Sequence, residues 1–481
     1  MEPQLRSGTL GTGDIAFFVI SAAAPLMILA GVAPYAILVG GIGAPSAYLI
    51  AGVVLAVFAV GFTTMSRYVS NAGAFYAYVT QGLGRPAGIA SAVLALMSYN
   101  AVQIGMYGLL GISAQSTVRS LLGVDVSWPV YALAGVALVW FAGYRSIEFG
   151  AKLLAVLMVA ESGILVLLAA AILLKGGAHG LDLQSYAPKQ VFNGSTSSLL
   201  VFAFAAFMGF ESTAIYRSEA RDPRRTVPRA TYIAVGFLGL FYSFIAWAII
   251  QGFGSAQVQG VAAKDPAGLV FTEMDSYVGR WATDAMHLLI LSSTLASLLA
   301  FHNAINRYTK AIAGEGMLPA RLGSLHPGTG SPYVAGGVQT LLSAVVVAAF
   351  AAAGLDPYLN LLIWVNTPGV IGLVLLQVLV AVAVPVYFRH TDHAERLIRT
   401  TVAPLLAALG MATALYLMIT KIALLSGATG TVNVVLVGLV PAMIATGLLL
   451  ALWLRAKRPL VYARLGAEPP VVTKEEVRVH S

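Results

Sequence analysis

Two carboxylates stand where carboxylates are costly. Glu161 lies in Val156-Leu157-Met158-Val159-Ala160-Glu161-Ser162-Gly163, and Glu211 in Phe207-Met208-Gly209-Phe210-Glu211-Ser212, both inside long apolar stretches. A charge near the centre of a bilayer costs about 2.5–3.5 kcal/mol on insertion scales, so an ionisable residue kept there is a functional candidate. A carboxyl in a low-dielectric span can carry a proton between the two sides of a membrane. The competing reading is a carboxylate paired to a neighbouring polar group for structure. Other polar residues share these stretches: Asn100, Gln103, Ser292, Ser293, Thr294, Ser297, His302, Asn303, Asn306 and Asn366. Tyr107 follows Gln103 by four residues and so shares its helix face. Such groups most often bridge helices. His287 and His302 stand at no metal-ligand spacing, so no metal site is expected. With no Gly-x-x-x-x-Gly-Lys-Ser/Thr loop there is no sign of ATP-driven work, and no cofactor or catalytic residue is expected.

The elements that hold these residues follow from composition. Of 481 residues, 58% are hydrophobic and 10% charged, against about 25% charged in an ordinary soluble domain. The chain therefore reads as an all-α polytopic membrane protein. Its net charge of +8 sits in loops between apolar stretches, so it is read as membrane-surface bias, with lipid rather than nucleic acid as the partner. With no cysteine, disulfides and thiolate chemistry are excluded. No cleaved signal peptide is read at the amino terminus.

Twelve apolar stretches have the length of about 20 residues that a crossing needs. They cover 14–40, 45–66, 88–118, 128–144, 149–174, 194–216, 230–253, 283–312, 333–353, 358–388, 402–424 and 432–454. With both termini cytoplasmic, outer loops hold Arg119, Lys175, Lys189, Lys264, Arg280 and Lys421, only six of the 28 basic residues. The rest fall inside, including Arg217, Arg221, Arg224, Arg225 and Arg229. That bias orients the chain. The stretch after Trp453 reads as a basic membrane edge followed by a disordered end.

Two stretches are interrupted. The first carries Pro25, Gly31 and Pro34, and an interior proline removes a hydrogen bond at a cost of about 3 kcal/mol. The sixth carries Gly209 beside Glu211. If helices 1–5 and 6–10 are inverted repeats, the interruptions correspond. Paired interruptions of this kind point to the binding site of a secondary transporter. Membrane helices also carry Pro and Gly for packing and kinks, which is the alternative.

Three stretches resemble permeases of the amino acid–polyamine–organocation superfamily, the bacterial amino acid permeases in particular. They are Ser66-Arg67-Tyr68 through Gly73-Ala74-Phe75-Tyr76; Gly209-Phe210-Glu211 through Glu219, Asp222-Pro223 and Val227-Pro228-Arg229-Ala230; and Asn306-Arg307 through Gly314-Glu315-Gly316-Met317-Leu318-Pro319. Together they spread the resemblance over roughly residues 10–455. It implies a leucine-transporter-like fold: a 1–455 membrane domain with inverted repeats at 10–174 and 194–388, helices 11 and 12 at 402–454, and a cytoplasmic tail at 456–481. It also implies a substrate carboxylate held on backbone N–H groups of the broken first helix, in a cradle formed by Ala23, Ala24, Pro25, Leu26 and Met27. The substrate amine would face carbonyls of Ala205, Ala206 and Met208, with Phe207 as a gate and Glu211 in gating or proton sensing. Helix N-termini favour anions and C-termini cations, which agrees with that polarity. Gln103, Tyr107, Phe207 and Asn303 are the expected determinants of selectivity.

The chain departs from the family pattern in places. Ser70 and Ala74 replace a usual Pro and Gly. Ala-Ala-Pro replaces a Gly-Ser/Thr-Gly triplet at the first interruption. Glu161 falls where some proton-coupled relatives carry a lysine, and Ala205 where an antiporter has a tryptophan lid. The expectation is a plasma-membrane amino acid symporter working by alternating access, coupled to H+. The rivals are sodium coupling or exchange of amino acids or polyamines, a sensor or channel that kept the fold, and export of cationic organic compounds. The specific amino acid and the oligomeric state are left open.

Overall fold

The structure is a computed structural model that describes residues 8, 10–69, 75–145 and 151–466. Ser70–Ala74, part of the first family-like stretch, lies outside the described residues. Among the described residues the chain is helical, with one isolated bridge between Leu10 and Ala220. Each apolar stretch marked in the sequence is mainly helical over its described residues. Nine described helices are long and apolar enough to cross a membrane, and two shorter apolar ones lie at Trp128–Tyr144 and Leu199–Ala214.

The first of the nine, Thr12–Met65, runs 54 residues. As one straight helix it would span about 80 Å at 1.5 Å per residue, well beyond a hydrocarbon core of about 30 Å. It is instead three helices: α1 (Thr12–Ala23), α2 (Ala33–Gly40) and α3 (Ala44–Met65). The chain reverses at Gly40-Gly41-Ile42-Gly43. Then follow α4 (Phe75–Leu83), α5 (Arg85–Leu122), α6 (Trp128–Tyr144), α7 (Ala151–Lys175), α8 (Thr196–Ala206) and α9 (Pro223–Phe253). The second half of the chain holds α10 (Leu269–Tyr277), α11 (Arg280–Gly314), α12 (Tyr333–Ala352), α13 (Ile363–Arg389), α14 (Ala403–Thr420), α15 (Thr431–Lys457) and α16 (Pro459–Arg464).

Side-chain chemistry divides inside from outside as a bilayer demands. Leu240, Leu341, Leu409, Leu449 and Leu452 are exposed on α9, α12, α14 and α15. In water such a surface would be an aggregation hazard; against lipid tails it is neutral. Small residues do the packing within. At the crossing of α3 and α9, a Cβ added to Gly52 would sit 3.2 Å from the Gly239 Cα, so the two backbones almost touch there. That close approach is how membrane helices gain van der Waals contact without a hydrophobic driving force.

The carboxyl-terminal stretch corrects the expectation of a disordered end over its described part. Leu465 is buried, and the Gly466 N–H donates to Tyr76 Oη and to a Glu315 carboxylate oxygen, both at 3.0 Å. Tyr76 itself donates to Glu315, Gln81 donates to the Gly466 carbonyl at 2.6 Å, and Arg85 to the Ala463 carbonyl at 2.8 Å. The segment is thus tied to α4, the start of α5 and the end of α11. Gly466 has φ 70°, and an added Cβ would lie 2.5 Å from Thr80 Cγ2. Any L side chain in that left-handed conformation costs roughly 1–2 kcal/mol before the clash is counted. Gly466→Val should therefore lower the melting temperature of the detergent-purified protein, and a variant that melts like wild type would show that the docked segment contributes nothing.

Candidate functional site: two helix breaks in contact

The first break begins with the covalent structure of Pro25. Having no N–H and a ring that crowds the preceding turn, it disfavours continuation of α1. Ala24 takes up the change with φ 48° and ψ 72°, the one positive φ at a non-glycine among the described residues. Its N–H is shared between the carbonyls of Ile20 (3.2 Å) and Ser21 (3.1 Å). The last carbonyls of α1 then need donors, and other helices supply them. Ser297 of α11 donates to the Ala22 carbonyl at 2.6 Å, and Tyr242 of α9 to the Ala23 carbonyl at 3.2 Å. Beyond Pro25 the chain runs through a wide turn at Met27–Val32, whose Gly31 carbonyl accepts from the Tyr358 hydroxyl.

The second break ends α8. Its last turn tightens: the N–H groups of Phe207, Met208 and Phe210 donate to the carbonyls of Phe204, Ala205 and Phe207 at 3.2, 3.1 and 3.3 Å. Gly209, with φ 101°, turns the chain in a conformation that glycine adopts without strain. A run of i→i+3 turns, Phe210–Glu219, follows. Glu211 pins this corner. One carboxylate oxygen accepts from the Gly209 N–H at 3.1 Å and the other from the Tyr99 hydroxyl of α5 at 2.9 Å.

The two breaks meet. A Cβ added to Gly209 would lie 3.6 Å from the Ala22 Cβ. Ala23, Ala24, Pro25, Leu26 and Met27 are buried, as are Ala206, Phe207 and Met208, while Ala205 is half-buried. The two interruptions therefore lie together in the buried interior. The C-terminal end of α1 or α8 offers partial negative charge, and the backbone restarting after each break offers N–H groups. Such a pair suits a small zwitterion, with its anionic group on N–H donors and its cationic group on carbonyls.

The other sequence candidates are distributed around this centre. Glu161 of α7 is buried beside it and accepts from Ser293 of α11 at 2.7 Å, one helical turn before Ser297. Phe207, expected as a gate, is wedged between α3 and α9. Its ring would lie 3.3 and 3.6 Å from Cβ atoms added to Gly52 and Gly239, and 6.1 Å from the Tyr242 ring. Gln103 and Tyr107 do share a face, at 3.4 Å, but Gln103 also bonds the Leu298 carbonyl at 3.1 Å and the side chain of Gln339 on α12. Asn303 lies near Gly143 of α6. These three residues belong to contacts of α5 and α11 with outer helices and are not joined to the breaks by the bonds described. Among the described residues no cluster of three His, Cys, Asp or Glu could hold a metal ion.

Tyr99, Tyr242, Tyr358 and Ser297 carry much of the site, and sequence pattern singled out none of the three tyrosines for it. Ser297 alone carried a signal, as one of many in-span hydroxyls. Glu273 of α10 was also missed. Neither carboxylate oxygen has a partner, and the residue is fully enclosed. Its place four residues after Leu269 and one before Met274 sets it on the inward face of that helix, which is the signal that would have found it. Burial pushes the Glu273 carboxyl well above the usual carboxylate range.

The fold and site define a class, a polytopic helical membrane protein with two discontinuous helices paired at its centre. Sequence comparison gives the family: the amino acid permease profile matches residues 14–459, and the chain belongs to that family, one of transporters rather than enzymes. It is 33% identical over 157 residues to an uncharacterized transporter of Mycobacterium tuberculosis, covering 32% of this chain and 33% of that one. A second uncharacterized transporter from the same organism is 27% identical over 309 residues, covering 58% of this chain and 61% of its own. A branched-chain amino acid permease of Lactococcus lactis is 24% identical over 330 residues, 64% of this chain and 69% of the other. The match spans about a third of the first of these relatives.

Two outcomes follow from the geometry. Ala24→Gly should keep transport, because glycine accepts φ 48°, whereas Ala24→Val should reduce uptake at least about tenfold, a β-branched residue being poorly tolerated there; equal rates in reconstituted vesicles would contradict the strained break. Glu273→Gln should melt higher than wild type at pH 7–8 and equal it below about pH 4.5. The sign follows from the raised pKa: the folded protein keeps a proton that the unfolded chain releases, so wild-type stability falls as pH rises through that window.

Proposed function

We propose that the protein is a secondary active transporter of amino acids in the plasma membrane, working by alternating access and coupled to proton entry. Twelve crossings arranged as two inverted five-helix repeats plus two further helices, with both termini cytoplasmic, is the architecture this reading adopts. The observation that carries it is the close approach of the two breaks, Gly209 of the second lying against Ala22 at the end of α1. That approach supports the reading in which an α-carboxylate and an α-ammonium group are bound together, on the backbone of Ala23–Met27 and of Ala205, Ala206 and Met208. Membership of the amino acid permease family and the name of the Lactococcus lactis relative support the substrate class.

Proton coupling rests on Glu161. It bonds Ser293, while Ser297 bonds the Ala22 carbonyl one turn away, so the carboxyl is linked through α11 to the end of α1. Protonation would remove a charge next to that break and free Ser293 to change its bond, altering how α7 and α11 grip α1. Glu211 differs in kind. With two donors on its carboxylate it holds the second break to α5, and its release would open that contact.

In proteoliposomes, uptake of labelled amino acids should follow an inward proton gradient and ignore sodium. Glu161→Gln should lose gradient-driven accumulation by about tenfold or more while retaining exchange of substrate across the membrane. Sodium-dependent uptake indifferent to pH, or unchanged accumulation by the variant, would refute the coupling.

A further inference from the structure

A second, charged cavity lies away from the breaks, on the side of the membrane that carries the amino terminus. It has a volume of about 440 Å3 and is lined by Arg67, Tyr68, Arg224, Arg225 and Glu395. Arg67 follows the end of α3 by two residues, Arg224 and Arg225 open α9, and Glu395 precedes α14. Three membrane helices therefore meet at this cavity, at the level where their apolar stretches give way to charge.

The charges around it do not balance within the protein. Arg67 Nη1 and Arg399 Nη1 each lie 3.2 Å from a different oxygen of Glu395. Both oxygens of the one carboxylate in the lining are thereby occupied, and its charge is offset twice. Arg67 Nε is buried with no acceptor, and a buried donor left unmatched is a group for which a partner should be sought. Arg225 stands 3.7 Å from Asp222 in an exposed pair, a contact that contributes little. Arg224 has no ion pair among the described residues. Four arginines thus stand against two carboxylates in and around the cavity, and the Arg67 guanidinium, paired to Glu395 through Nη1, keeps its Nε–H without an acceptor.

We propose that this cavity binds a phosphate-bearing anion, with an anionic phospholipid headgroup or free phosphate as its source. Guanidinium groups match phosphate oxygens in a two-bond fork. Basic pockets between membrane helices on the cytoplasmic side are where anionic headgroups collect. The bound phosphate takes the Arg67 Nε hydrogen bond and bridges it to Arg224 and Arg225. It therefore links the end of α3 to the start of α9, the helix that leads directly from the turns after Glu211. Occupancy stiffens the inner edge of the helix pair against which Phe207 is wedged.

The test uses the purified full-length protein in a neutral detergent, with thermal unfolding followed as ligand is added. Phosphatidylglycerol should raise the melting temperature saturably, and phosphatidylcholine should not. Inorganic phosphate that reproduces the shift would identify a soluble anion as the occupant, whereas phosphatidylglycerol acting alone would identify the lipid. The concentration for half-saturation should rise about fivefold for each arginine removed, since one charge near an anionic surface is worth ~1 kcal/mol. Arg224→Gln combined with Arg225→Gln should therefore weaken the effect roughly 25-fold. Arg67→Lys keeps a charge for Glu395 but loses Nε, and should weaken binding even if the double variant does not fold. Equal shifts from both lipids with none from phosphate, or shifts unchanged in folded variants, would overturn the proposal.

Discussion

The central constraint on this molecule is that backbone polar groups inside a membrane have no water to turn to. Each unsatisfied N–H or C=O in hydrocarbon costs several kcal/mol, so a helix can be interrupted only where protein groups take over the lost bonds. Pro25 and Gly209 create such deficits, and the surrounding helices are furnished to meet them. Ser297 and Tyr242 serve the end of α1, Tyr358 the turn after it, and Glu211 with Tyr99 the corner after α8. The breaks exist because five polar side chains from α5, α9, α11, the segment before α13 and the second break itself converge on them.

This arrangement makes the breaks both stable and adjustable. A carbonyl that accepts from a hydroxyl can exchange that donor for a substrate ammonium group or a water at small net cost, since the net worth of one hydrogen bond is only about 1 kcal/mol. The helices donating those hydroxyls are then coupled to whatever occupies the break. Phe207 adds a mechanical link. Its ring fills the space where Gly52 and Gly239 let α3 and α9 approach, so movement of the second break is felt at that crossing.

How much of this could be read in the chain depends on the range of the physics involved. Pro25 was legible because proline breaks a helix by local covalent geometry, and Glu211 because a charge in an apolar run is conspicuous without any neighbour. The many membrane-crossing helices were legible because crossing a membrane imposes a length on an apolar stretch. The partners of the breaks were not, because a serine at position 297 or a tyrosine at 242 looks like any other until two distant helices are set side by side. Gln103 and Tyr107 illustrate the boundary. Their four-residue spacing fixed a shared face, but only the packing of α5 against α12 showed that Gln339 occupies it. The docked segment ending at Gly466 was hidden for the same reason: its bonds use its backbone, and backbone atoms leave no mark on sequence.

The claim at the centre of this account is that one substrate is held at both ends by main-chain groups at the two breaks. The most direct measurement compares binding of a transported amino acid with its decarboxylated amine and its deaminated acid, by calorimetry on the purified protein. The account predicts that the zwitterion binds and that each analogue loses at least about tenfold in affinity, having left one helix end unmatched. Equal binding by either analogue would contradict it.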